Sequence, residues 1–141
     1  MAIYFSAHEV KVGLKDRTRL KAFIADLFKR EEQGLSNLQY VFCTDEYLLQ
    51  INEEFLKHDT YTDIVTFELS PDPEVTEGEI YISIDRVREN AEQFEVTENY
   101  ELHRVMFHGA LHLCGYKDKT KKEEALMRQK EDEYLQLYFQ Q

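Results

Sequence analysis

Apolar positions along the chain change their period several times, and each change marks an element. AIYFS (2–6) reads as a short strand. Between Leu14 and Gly34 the apolar residues Leu20, Phe23, Ile24, Leu27 and Phe28 recur at helical spacing, and the closing glycine is a usual helix stop. LSNLQYVFCT (35–44) returns to a strand pattern. Thr44 or Asp45 then offers an N-cap to a helix whose apolar stripe is Leu48, Leu49, Ile51 and Phe55. TDIVTFEL (62–69) is rich in the β-branched and aromatic residues that suit a strand. SPDPEVTEG (70–78) holds both prolines and reads as turn chemistry, followed by a strand at EIYISI (79–84). Three helices complete the chain: DRVRENAEQF (85–94) capped by Asp85, ENYELHRVMFHGALHLCG (98–115) stopped by Gly115, and the amphipathic KKEEALMRQKEDEYLQLYF (121–139). The order β-α-β-α-β-β-α-α-α predicts an α+β fold, a single four-stranded mixed sheet packed with about five helices, with strands parallel where a helical crossover joins them.

No repeat, low-complexity tract or Pro/Gly linker interrupts this order, so 1–141 reads as one domain. A chain of this length buries roughly 68–70% of its unfolded surface and needs no disulfide staples. Cys43 and Cys114 match no disulfide or zinc-knuckle spacing and read as the reduced, buried thiols of a cytosolic protein. No window is long and apolar enough to span a bilayer. The start MAIYFSAHEV has neither the basic nor the apolar region of a signal peptide. The expectation is a cytoplasmic protein with no membrane partner and no nucleotide cofactor.

Charge narrows the picture further. The formal net charge is −11, which argues against nonspecific nucleic-acid binding through a basic footprint. The distribution is uneven, however. Residues 1–30 hold seven Lys/Arg against three acids, and Lys117, Lys119, Lys121 and Lys122 follow one another closely. Both clusters suit a solvated face, and the second also suits local attraction of phosphate.

Candidate chemistry concentrates in HGALHLCGYKDK (108–119). His108 and His112 stand four residues apart, hence on one helical face, and two such imidazoles can converge on one ion at about 2.0–2.1 Å. His103 lies roughly 140° from His108 around the helix, so it points away as a surface or packed histidine. Cys114 lies roughly 160° from His112 and is a poor ligand. Arg104, four residues before His108, shares the ligand face and either reaches a bound anion or forms an ion pair. Gly115 accepts the left-handed conformation that turns a chain back at a helix end. Asp118, three residues later, is then the candidate third ligand. His-x-x-x-His-x-x-Gly-x-x-Asp has the metzincin spacing, which makes this a zincin-like metal helix. The glutamate that serves peptidases of the HExxH type as general base is replaced by Gly109.

HGALHLCGY (108–116) resembles the signature H-G-x-L-H-L-x-G-Y-D-H of the YbeY-type rRNA maturation factors. TDIVTF (62–67) and GEIYIS (78–83) are similar to that family's T-D-V-L-S-F and G-D-I-x-I-S blocks. The three blocks keep their order, and the resemblance covers about residues 45 to 130. It implies a zinc-dependent, single-strand-specific endoribonuclease acting in 16S rRNA 3′-end maturation and ribosome quality control. The implied partners are ribosomal RNA and small-subunit ribosomal proteins, and the implied cofactor is one Zn²⁺ held by His108, His112 and Asp118. Two departures stand out. The family's third ligand is a histidine, where this chain has Asp118 preceded by Lys117; a carboxylate lowers the net charge of a metal site and so acidifies water less. The arginine that the family carries before the T-D-V block is replaced by Leu56, which leaves Lys57, His58 and Arg104 as candidates for the substrate phosphate. The general base stays open. The competing readings are a non-catalytic ribosome-assembly factor with a structural metal, and a metallopeptidase-like hydrolase, which Gly109 disfavours.

Overall fold

The computed structural model describes residues 2–56 and 62–140. In chain order these form β1 (Ala2–Ala7), α1 (Arg17–Arg30), β2 (Gly34–Cys43), α2 (Asp45–Leu56), β3 (Ile64–Glu68), β4 (Val75–Ser83), α3 (Ile84–Gln93), α4 (Glu98–Leu113) and α5 (Lys121–Phe139). One sheet runs β1-β2-β4-β3; β1, β2 and β4 are mutually parallel and β3 is antiparallel to β4. The expected α+β fold, one mixed four-stranded sheet with five helices, is the fold observed. β1 and β2 run parallel because α1 carries the chain back between them. β3 and β4 pair antiparallel across the proline-bearing turn.

Period-two alternation puts Leu38, Tyr40 and Phe42 of β2 and Ile80 and Ile82 of β4 in one core with Leu20, Ile24, Leu27 and Phe28 of α1. Cys43 and Val65, whose side chains alternate onto the other sheet face, pack with Leu48 and Ile51 of α2 in a smaller cluster. α2 buries only part of its stripe: Phe55 is 63% exposed. Among the described residues no helix is long and apolar enough to cross a membrane.

Three boundaries differ from the sequence reading, each for a local reason. α1 begins at Arg17, with Asp16 accepting from the Arg19 amide, and ends at Arg30. The left-handed residue beyond it is Glu32 (φ 58°). Gly34 is already in β2, paired with Val75, and a Cβ there would lie 2.7 Å from the Glu74 carbonyl. It is therefore a close-approach glycine and not the helix stop. α3 is capped by Ser83 in place of Asp85; Asp85 accepts from the Asp45 amide at 2.8 Å. β4 starts at Val75, inside the stretch read as turn, because Gly34 and Leu35 supply it with partners.

α4 is the central helix, with ten of its sixteen residues buried. Tyr40 fastens it to the sheet by donating its hydroxyl to the Met106 carbonyl at 2.9 Å. Gly109 lets it lie close: a Cβ there would sit 2.9 Å from both Ile64 Cδ1 and Ile80 Cγ2. Gly109→Ala should therefore destabilise the protein, overpacking of about 1–3 kcal/mol outweighing a helix-propensity gain of about 1 kcal/mol. Denaturant unfolding reads the sign; a more stable variant would mean that α4 has room to lift from the sheet.

Candidate functional site

α4 ends in a Schellman turn. Gly115, at φ +107°, donates to the His112 carbonyl and Tyr116 donates to the Leu111 carbonyl. The turn sends the chain back alongside the histidines. Tyr116 is then tied down by donating its hydroxyl to Glu31 at 2.6 Å, and Tyr134 of α5 donates to the other oxygen of the same carboxylate. Burial raises the Glu31 pKa, but these two hydroxyls and Lys130 outweigh it and hold the carboxyl below its ordinary value. Two residues past this anchor, Asp118 Oδ2 lies 3.2 Å from His108 Nε2. Thr120 then starts α5 with a capping box.

His108 is held from behind. Its Nδ1 lies 2.5 Å from Glu131 Oε2, and Glu131 of α5 is almost wholly buried. A carboxylate only accepts, so Nδ1 carries the proton and Nε2 is left as the nitrogen that faces Asp118. Burial works against a charged His108, yet the hydrogen bond and charge of Glu131, with Asp118 and Asp63, raise its pKa. Burial likewise raises the Glu131 pKa, and His108 and Arg104 more than reverse it, so that its carboxyl stays ionised.

Arg104 is the second partner of Glu131, through Nη1 at 3.0 Å. Glu101 takes its Nε at 2.8 Å and its Nη2 at 2.5 Å, and Asp63 stands 3.8 Å away. The guanidinium, 11% exposed, is thus an internal brace joining α4, α5 and the approach to β3. Arg104, His108, Asp118, Lys121, Arg128 and Glu131 all line one cleft of about 540 Å³.

The structure brings together His108, Asp118 and Arg104 of the residues singled out from the sequence. His112 is exposed one turn beyond His108 and is not among the cleft-lining residues. Leu56 closes α2 and is exposed, and the candidates Lys57 and His58 lie outside the described residues. His103 is packed: it is buried, stacked on Tyr138, with Nδ1 against the Asn99 carbonyl. Cys43 and Cys114 are free thiols, Cys114 only half-buried at the cap of α4, and burial pushes both up to about 12. Glu131 went unseen in the sequence, although its signal was there. It falls in the buried stripe Met127, Glu131, Tyr134, Tyr138 of an amphipathic helix, where a carboxylate demands a partner.

Among the described residues no three His, Cys, Asp or Glu side chains are already gathered around one point suitable for a metal ion. The donor chemistry nevertheless fits zinc. One imidazole nitrogen is oriented by a buried carboxylate, as second-sphere partners orient zinc-bound histidines, and a carboxylate oxygen stands beside it. A second imidazole is on the same helix face one turn on. Gly109 faces the sheet, so the position that carries the base in HExxH peptidases points away from the cleft.

Comparison with known proteins adds independent findings. The family model described as endoribonuclease YbeY matches residues 4–138. The chain is 48% identical over 135 residues to the endoribonuclease YbeY of Cytophaga hutchinsonii, covering 96% of this chain and 94% of that one. It is 46% identical over 131 residues to that of Flavobacterium psychrophilum, covering 93% of each. Among solved structures it is similar to the solution structure of TM1509 from Thermotoga maritima, with a TM-score of 0.66 and 27% identity over 99% of this chain and 89% of that one.

Proposed function

The chain belongs to the endoribonuclease YbeY family, and from that premise we propose a zinc-dependent, single-strand-specific endoribonuclease that matures the 3′ end of 16S rRNA and serves ribosome quality control in the cytoplasm. The enzyme class, a hydrolase of RNA phosphodiester bonds, follows from the family. The metal, the substrate and the partners are our reading. The observation that carries it is the His108 imidazole, pinned through Nδ1 by buried Glu131 so that Nε2 faces Asp118 across the cleft.

His108, His112 and Asp118 are the ligands in this reading, three protein donors with a position left open, as catalytic zinc sites have and closed structural sites do not. Bound zinc supplies Lewis acidity, stabilising charge on a phosphate and acidifying a water or a ribose hydroxyl. The chain's own residues do the rest. Glu131 fixes the tautomer and direction of His108. Arg104 keeps Glu131 ionised and in place. The Schellman turn and the Glu31–Tyr116 bond hold the backbone from which Asp118 projects. The acidic surface suits basic small-subunit ribosomal proteins as partners.

The test is cleavage of a single-stranded RNA carrying the small-subunit 3′ end beside its duplex form. Only the single strand should be cut, with loss under chelator and recovery on adding zinc. His108→Ala and His112→Ala should each lower the rate by at least about 100-fold, in line with the rate share of a polarising group. Ribosomal-protein binding that survives His108→Ala, with no cleavage by zinc-loaded protein, would favour the assembly-factor reading.

A further inference from the structure

We infer that Arg128 and Lys121, on one face of α5, form the wall of the cleft that binds the RNA phosphates; this deepens the nuclease reading above and rests on it. The cleft poses an electrostatic problem for such a substrate. Around His108 stand Glu131, Asp118 and Asp63, and Glu124 is on the rim. Carboxylates so placed suit a cation and repel a phosphodiester. A phosphate that approaches His108 therefore needs cations presented from the side.

Two arginines line the cleft, and Arg128 is the one open to solvent and not held by strong hydrogen bonds. Arg104 gives Nε and Nη2 to Glu101 and Nη1 to Glu131, and its side chain is 11% exposed. Arg128 is 55% exposed. Its nearest ion-pair partner is Glu131 Oε1 at 3.6 Å, beyond hydrogen-bond length, and that oxygen already accepts from Arg104. The Arg128 fork can thus turn to a phosphate without breaking a strong bond, and a planar guanidinium matches phosphate oxygens two at a time. Lys121 lines the same cleft and makes no ion pair among the described residues.

Residues 121, 124, 125, 128 and 131 recur at spacings of three and four, so one stripe of α5 presents Lys121 and Arg128 to the cleft and places Glu131 at its floor. Lys121 and Arg128 are seven residues apart, about 10 Å along the helix, which lets them engage different phosphates of one strand. The same helix would in this way both orient His108 and hold the substrate over it.

The experiment compares wild type, Arg128→Ala, Arg128→Lys and Lys121→Ala as full-length, zinc-loaded protein on a labelled single-stranded RNA. Steady-state rates give KM and kcat. Fluorescence anisotropy under chelator gives Kd across a salt series, with melting curves and zinc content as controls. For Arg128→Ala we expect KM and Kd to rise about tenfold, the loss of a charge-assisted contact, with kcat within about threefold. The slope of log K against log salt should fall by about 0.7, one phosphate contact on a single strand. Arg128→Lys should restore part of the affinity, and Lys121→Ala should show a smaller change of the same kind. Unaltered KM, Kd and slope in an otherwise active series would overturn this inference alone. Loss of kcat and of zinc at constant KM would also overturn it, showing that Arg128 acts only through Glu131. A wild type that neither binds nor cuts RNA would remove the nuclease reading together with the inference.

Discussion

Asp118→Ala should leave the metal-free protein folded and remove most of its response to zinc. Asp118 is 43% exposed, and among the described residues its one ion-pair partner is His108 at 3.2 Å. A pair that open to solvent contributes about 0–1 kcal/mol, so the metal-free melting curves of variant and wild type should nearly coincide. With zinc they should separate. At a free concentration 100 times its Kd, a ligand that binds only the folded state adds about 2.7 kcal/mol, roughly 5–10 °C for a domain of this size. Outer-sphere changes already lower metal affinity about 10–100-fold, and loss of a ligand should reach at least the upper figure. The same zinc concentration then only matches the variant's Kd and adds about 0.4 kcal/mol. RNA cleavage should fall in parallel. A variant that keeps the full zinc shift would show that Asp118 is not a ligand, and a wild type with no shift would unseat the metal itself.

That prediction rests on a residue the sequence could already single out, because its evidence is local. Two histidines one turn apart, a glycine at the helix end and an acid three residues on are all read within eleven positions, and the Schellman turn at Gly115 is built as that spacing requires. The sheet and helices were legible for a similar reason. Leu38, Tyr40 and Phe42 alternate, and Leu20, Phe23, Ile24, Leu27 and Phe28 repeat at helical spacing, each pattern set by one burial face. Boundaries were less legible, since caps compete locally. Ser83 outcompeted Asp85 for the α3 cap once Asp85 was engaged by the Asp45 amide forty residues away. Gly34 looked like a helix stop, but its role is set by the carbonyl of Glu74, a turn residue forty positions on, just before β4. The backing of His108 was the least legible part. Arg104 and Glu131 meet only when α4 packs on α5, and no spacing within either helix announces that contact.

Glu131 should consequently be the position where substitution harms fold and site by separable routes. Its Oε1 accepts from Arg104 and its Oε2 from His108, and the side chain is 3% exposed. Glu131→Gln keeps the volume but leaves one accepting oxygen. Arginine can only donate, so that oxygen stays with Arg104 and the amide nitrogen faces His108. Nδ1 must then accept, which moves the imidazole proton to Nε2, the nitrogen assigned to the metal. Zinc affinity should fall toward 100-fold, with stability lower by only about 1–2 kcal/mol. Glu131→Ala removes both bonds and opens buried space beside a guanidinium that retains Glu101. Removing one partner from a buried charge network costs roughly 3 kcal/mol or more, so this variant should melt about 10 °C lower and also bind zinc weakly. Calorimetric zinc titration beside denaturant unfolding separates the two routes. If Glu131→Gln binds zinc as tightly as wild type, the carboxylate does not set the direction of His108, and its burial would have to be explained by the Arg104 brace alone.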